Sequence, residues 1–410
     1  MKIAIITTGV LPIPAAKGGA VENLVENLLN ENDAKGKFNI TVFSIFDENA
    51  VNISKKYINT NFIYIKTTKI AKAFDNILFF IMKNILRKQN AQSYRYIFQR
   101  LSFLNKVSKY LSLYDYDKLL LENHETEYLA LKWRKNYIKY EGKYYYHCHN
   151  SFKSFYGCKN IILSTKKFIC VSDYIANSVC NFTNVPKNNT IVLRNCINDK
   201  VFNKKLSIKE KKLLFNKLGI DEKDFVILFT GRMIKEKGIK ELLMAVEKLN
   251  INNLKVIIIG APVFNLNVVT KYQEEVESII NSIKKNVIFT GYINYSEIYK
   301  YYNLADIAVL PSTWDDPAPL TIIESLTVGL PIISTVSGGI PEYAVNDSAI
   351  LLDRDDKLVD NIAQSIKKLY ESKERRKKMS INCKNASKDL TLENYYFNFS
   401  RIMKEGDSNE

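Results

Sequence analysis

Residues 310–342 constrain this chain more than any other stretch, because they read as strand, turn and helix twice in succession. Residues 306–310 form an apolar run of strand length that leads into the polar loop Pro311-Ser-Thr-Trp-Asp-Asp-Pro317. Pro319 belongs in the first turn of a helix, where no N–H partner is required. That helix sets Asp316 just ahead of its start and Glu324 about one and a half turns inside it. The N–H groups of Leu320 and Thr321 then stand at a helix N-terminus, which favours a phosphate. A second short strand, 331–334, ends in Ser337-Gly338-Gly339 and opens another helix. Two such turns side by side, with two carboxylates, fit a site for a phosphorylated, hydroxyl-rich ligand.

The same unit recurs along the chain. Residues 2–8 are nearly all apolar, as in a parallel strand buried on both faces. Gly18-Gly19 then precedes a helix to about residue 31, with Val21, Leu24, Val25 and Leu28 at helical spacing. Further strands are expected at 38–46, 116–121, 143–147 and 167–171, with helices at 126–137 and 174–180, and a last strand of the first half near Ile191. In the second half, strand 225–230 feeds Gly231-Arg232 and Lys237-Gly238 and then helix 239–249. Strands 254–260, 287–290 and 349–352 alternate with helices 268–283, 296–304 and 358–370. Alternation of this kind specifies an α/β chain with doubly wound parallel sheets, whose strand-to-helix turns lie at the ligand-binding end. Arg232 and Lys237 at one such turn can neutralise a diphosphate, Arg232 bidentately. A length of 410 residues accommodates two domains, divided here as 1–203 and 204–389, with a final aromatic-rich helix.

Charge adds one further constraint. The chain carries a net charge of +16, much of it between Lys66 and Lys109, where Asp75 is the only carboxylate and Tyr94, Tyr96, Phe98 and Phe103 are interleaved. Such a segment fits an anionic membrane surface, or else a solvated helix face. No nucleic-acid module accompanies it, so nucleic acid is not an expected partner. The six cysteines are scattered through apolar contexts and read as reduced core residues, which points to the cytoplasm. The N-terminus mimics a signal peptide, but Thr7, Thr8 and Gly9 interrupt its apolar run, so a first strand is the better reading. Residues 77–82 are too few to cross a bilayer. His147, Cys148, His149 and Cys158 match no zinc spacing, and no metal is expected there.

Taken together, the motifs resemble the nucleotide-sugar signature of family 4 glycosyltransferases of the GT-B fold. The signature residues are Pro311-Ser312, Asp316, Glu324, Gly329-x-Pro331 and Gly338-Gly339-x-Pro341-Glu342, with Gly231-Arg232 and Lys237-Gly238 upstream. Two departures stand out: Asp316 replaces Glu, and Ala318-Pro319 replaces Phe-Gly. The resemblance implies two Rossmann-like doubly wound domains facing each other across a cleft. The N-terminal one, 1–203, would bind the acceptor and be joined by a C-terminal helix within 390–410; the other, 204–389, would bind the donor. It also implies metal-independent, cofactor-free, retaining transfer of a hexosyl group from a nucleotide sugar. A UDP-sugar is the first expectation for the donor. The implied acceptor is a glycan or lipid-linked molecule of a bacterial surface polysaccharide; the cytoplasmic location and the peripheral contact with anionic membrane through 66–110 are expectations from the cysteines and the charge, not from the resemblance. Arg232 and Lys237 would hold the leaving diphosphate, helped by backbone at Gly18, Gly19, Leu320 and Thr321. Glu324 would accept from the ribose, Asp316 from the donor sugar, and His149 would meet the sugar's reacting face, with Tyr292 beside the base. A non-catalytic accessory subunit and an epimerase of the same fold are the alternatives.

Overall fold

The computed structural model describes residues 1–86, 94–260, 271–291 and 293–405. The chain divides into two compact units, Met1–Arg194 with Leu392–Glu410, and Asn195–Thr391. The division falls at Asn195 rather than at 204. Asn195 is tied into the second unit, its N–H donating to the Tyr343 hydroxyl at 2.9 Å and its side-chain amide to the Ala318 carbonyl at 3.1 Å.

Among the described residues, the first unit holds strands β1 (Lys2–Ile6), β2 (Asn39–Ile45), β3 (Thr60–Ile65), β4 (Lys118–Glu122), β5 (Tyr144–Cys148), β6 (Lys167–Cys170) and β7 (Thr190–Val192). They form one parallel sheet in the order β3-β2-β1-β4-β5-β6-β7. The second unit holds β8 (Phe225–Thr230), β9 (Leu254–Ile259), β10 (Val287–Gly291), β11 (Ile307–Leu310), β12 (Ile332–Thr335) and β13 (Ala349–Leu352), ordered β10-β9-β8-β11-β12-β13 and likewise parallel. Helices cover both faces, which explains strands such as Phe-Val-Ile-Leu-Phe-Thr in β8 that are buried at every position. In each sheet the strand order reverses once, between β1 and β4 and between β8 and β11. Parallel sheets of this kind bind ligands beyond the strand C-termini at that point.

The final helix, Leu392–Lys404, belongs to the first unit. Its Tyr396 hydroxyl donates to Asn32 at 2.7 Å, and the Tyr396 and Phe399 rings pack on Phe38. Four elements differ from the sequence reading. β3, an edge strand with half-buried aromatics, and the short helix Glu48–Ser54 were not expected. The helix expected at 126–137 is broken, because Arg134 and Lys135 take left-handed backbone angles. Asn136 fills the gap by donating its side-chain amide to the carbonyls of Ala130 and Ser108. The expected helix 296–304 is reduced to Tyr299–Tyr302, and of 268–283 the described part is helical over Lys271–Ser282. None of the six cysteines is paired, and all but Cys180 are buried. Among the described residues no helix is long and apolar enough to cross a membrane.

Candidate active site

In the second unit, the turn after β8 and the loop after β11 converge on one small, partly open cavity. Thr230, Lys237, Ser312, Asp316, Pro319 and Thr321 line it. The loop 231–238 is anchored to the neighbouring one: the carbonyls of Lys235 and Glu236 accept from the side chain of Thr313 and the N–H of Thr313. This anchoring carries Lys237 to Asp316, and their charged atoms lie 2.5 Å apart, with Asp316 buried and Lys237 half-buried. Arg232 on the same turn is exposed; its carbonyl accepts the Ile234 N–H at 2.9 Å, but its guanidinium has no hydrogen-bond or ion-pair partner among the described residues. The helix Leu320–Val328 starts at Pro319 with no side-chain cap, so Leu320 and Thr321 present N–H groups at its open end.

The second turn of the motif closes on the first. The Gly339 N–H donates to the Asp316 carbonyl at 2.9 Å. Gly338 has a φ of 53°, and a Cβ built there would lie 2.2 Å from that same carbonyl oxygen. The glycine pair is therefore a seat for the Asp316 backbone, and only glycine fits the approach.

Glu324 lies inside the helix Leu320–Val328, as expected from its spacing. It is buried and absent from the cavity lining, and its carboxylate accepts the Tyr302 hydroxyl at 2.5 Å, while Thr230 pairs with that hydroxyl at 2.9 Å. Burial pushes the Glu324 carboxyl up to about 7, partly offset by hydrogen bonds from Tyr302 and Tyr295. Tyr292 lies outside the described residues.

In the first unit, Gly18 and Gly19 form a left-handed turn into the helix Ala20–Lys35. Glu22, in the first turn of that helix, is buried, and desolvation with a contribution from the Glu122 charge raises its carboxyl to about 7. At the C-terminal end of β4, Glu122 stands in register with His147 on β5. Its carboxylate lies 3.2 Å from His147 Nδ1 and 3.1 Å from His149 Nε2, and the two imidazole centroids are 4.0 Å apart. All three residues are buried. Burial pushes the Glu122 carboxyl up, but His147 and His149 outweigh it and hold the group down at about 2. Burial, then the His147 charge, pushes His149 down to about 4. The donor atoms of this trio lie within 4.8 Å of one another, close enough to share a metal ion.

The motif thus brings Lys237, Asp316 and Thr321 to one cavity, with Arg232 and Leu320 on the elements that build it. Gly18, Gly19 and His149 belong to the other unit. Sequence reasoning missed Glu22, Glu122, Tyr302 and Tyr295. Glu122 becomes visible only through the β4–β5 register.

Residues 210–386 match the family model for glycosyl transferases group 1. A glycosyltransferase of Methanocaldococcus jannaschii is 30% identical over 175 residues, which are 42% of this chain and 43% of that protein. The chain therefore spans less than half the length of that relative. Spore coat protein SA of Bacillus subtilis is 24% identical over 384 residues, 92% of both chains. Among solved structures, HepE of Anabaena in complex with UDP superposes with a TM-score of 0.74 at 15% identity, over 98% of this chain and 100% of that one. Residues 210–386 are thus similar to the glycosyl transferases group 1 family, and they lie in a chain with the two Rossmann-like units of the GT-B fold.

Proposed function

We propose that this protein is a retaining glycosyltransferase, which moves a hexosyl group from a nucleotide sugar to a glycan or lipid-linked acceptor of a bacterial surface polysaccharide. The observation that carries the reading is the pair of cations at the β8 turn, Lys237 lining the cavity and Arg232 unpaired beside it. As the bond between the anomeric carbon and the diphosphate oxygen breaks, negative charge grows on the departing phosphate. Fixed cations and an open helix end stabilise that charge more than they stabilise the ground state. Lys237, Arg232 and the N–H groups of Leu320 and Thr321 supply this stabilisation without a metal ion or cofactor. Asp316 holds Lys237 in place and offers its second oxygen to a sugar hydroxyl. A UDP-sugar is the first donor to try, since HepE of the same fold binds UDP. The likeness to a spore coat protein over nearly the whole chain supports a cell-surface product. His149, steadied by Glu122, is the first unit's candidate for contact with the sugar.

The test is thermal shift with UDP-, GDP-, dTDP- and ADP-sugars on the wild type and on Arg232→Ala/Lys237→Ala. One donor at a hundredfold excess over its Kd stabilises the wild type by about 2.7 kcal/mol, and the double variant loses that gain. If no nucleotide sugar stabilises the wild type, the donor assignment fails and an accessory subunit becomes the leading reading.

A further inference from the structure

The helix Lys69–Phe80 turns outward side chains that a globular protein ordinarily covers. Ile70, Phe74, Ile77 and Phe80 are 70, 52, 55 and 59% exposed. The first three recur at i, i+4 and i+7, so they form one stripe along the helix. Ile97 and Phe98, exposed at the start of the helix Ile97–Leu113, extend it, with the Phe74 and Phe98 rings 5.4 Å apart. Ala71 and Asp75 face inward.

The accompanying charge has one sign. Lys69, Lys72, Lys83 and Arg95 are all exposed, and the Arg95 guanidinium lies over the Phe79 ring at 5.3 Å. The one carboxylate between Lys66 and Lys109 is Asp75, and it is taken up inside. It is 4% exposed and accepts the N–H groups of Phe98 and Gln99 at 2.8 and 2.9 Å, capping the next helix. No negative side chain of the segment is left to face outward.

We propose that this face docks the protein on a membrane containing anionic lipid. The aromatic and aliphatic stripe enters the boundary between headgroups and acyl chains, while the cations meet lipid phosphates. A second copy of the chain is a poor occupant, because it would set the same cations against each other. The proposal does not depend on the glycosyltransferase reading, and its test uses no sugar nucleotide.

The experiment is co-sedimentation of the full chain with vesicles of phosphatidylcholine alone and with one-third phosphatidylglycerol. The wild type should bind the anionic vesicles only, and less as salt rises. Ile70→Ser/Phe74→Ser/Ile77→Ser should lower binding at least tenfold with an unchanged Tm, since these side chains are exposed. Lys69→Gln/Lys72→Gln should lower it about fivefold for each charge removed. Binding to neither vesicle, equal binding to both, or serine variants that bind like the wild type would overturn the proposal. So would self-association in sedimentation that the serine variants abolish.

Discussion

At the scale of single residues, the site is built from side chains whose protonation the fold sets. Glu324 has its carboxyl raised from 4.5 to about 7, so the folded state keeps a proton that the unfolded chain gives up. Stability from this group is complete below the unfolded value and declines as pH rises from 4.5 to about 7. A shift of that size corresponds to about 3 kcal/mol. Glu324→Gln keeps an acceptor for Tyr302 and has no proton to lose. Urea unfolding at pH 5 and at pH 7.5 should therefore show a decline that is about 2 kcal/mol smaller in the variant than in the wild type, since part of the change already lies below pH 5. Equal declines would mean that Glu324 is ionised in the folded protein. That Lys237, Asp316 and Thr321 come together was legible because their placement follows from local turn geometry. Glu122, Glu22 and Tyr302 were not, because each meets its partners through strand register or helix packing across the unit. No spacing rule joins Glu122 to His149.

At the scale of elements, strand and helix alternation was legible wherever apolar runs were long, as in β1 and β8. It failed where a half-buried edge strand such as β3 mixes polar and aromatic residues, and at Arg134, where two left-handed residues end a helix that periodicity would have continued. The two turns around Asp316 behave as one element, since the Gly338-Gly339 backbone sits directly on the Asp316 carbonyl. Gly338→Ala should cost about 2 kcal/mol through its left-handed angle and the clash. It should also remove the thermal shift caused by the donor, because Asp316 and its partner Lys237 are displaced together. Gly219→Ala is the matched control: it has a similar φ of 66° and nothing within 4 Å of the added Cβ. A Gly338→Ala protein that kept full donor response would show that the second turn does not seat the first.

At the scale of the whole molecule, the chain finishes the unit it began. Helix Leu392–Lys404 covers Phe38 and Asn32 through Tyr396 and Phe399, all buried. Tyr396→Ala should cost about 3–5 kcal/mol, the range for emptying a large aromatic site. In a chain ending at 391, limited proteolysis should cut within 1–194 well before it cuts within 195–391. Equal resistance of the two units would show the helix to be dispensable. This connectivity has a consequence for synthesis on the ribosome. Domains usually fold in the order in which they are made. Here residues 195–391 of the second unit are all made before the helix Leu392–Lys404, so the Phe38 site of the first unit stays uncovered while the second unit already has its whole sequence. The second unit can mature first, and the emergence of that helix is the event that lets the first unit close.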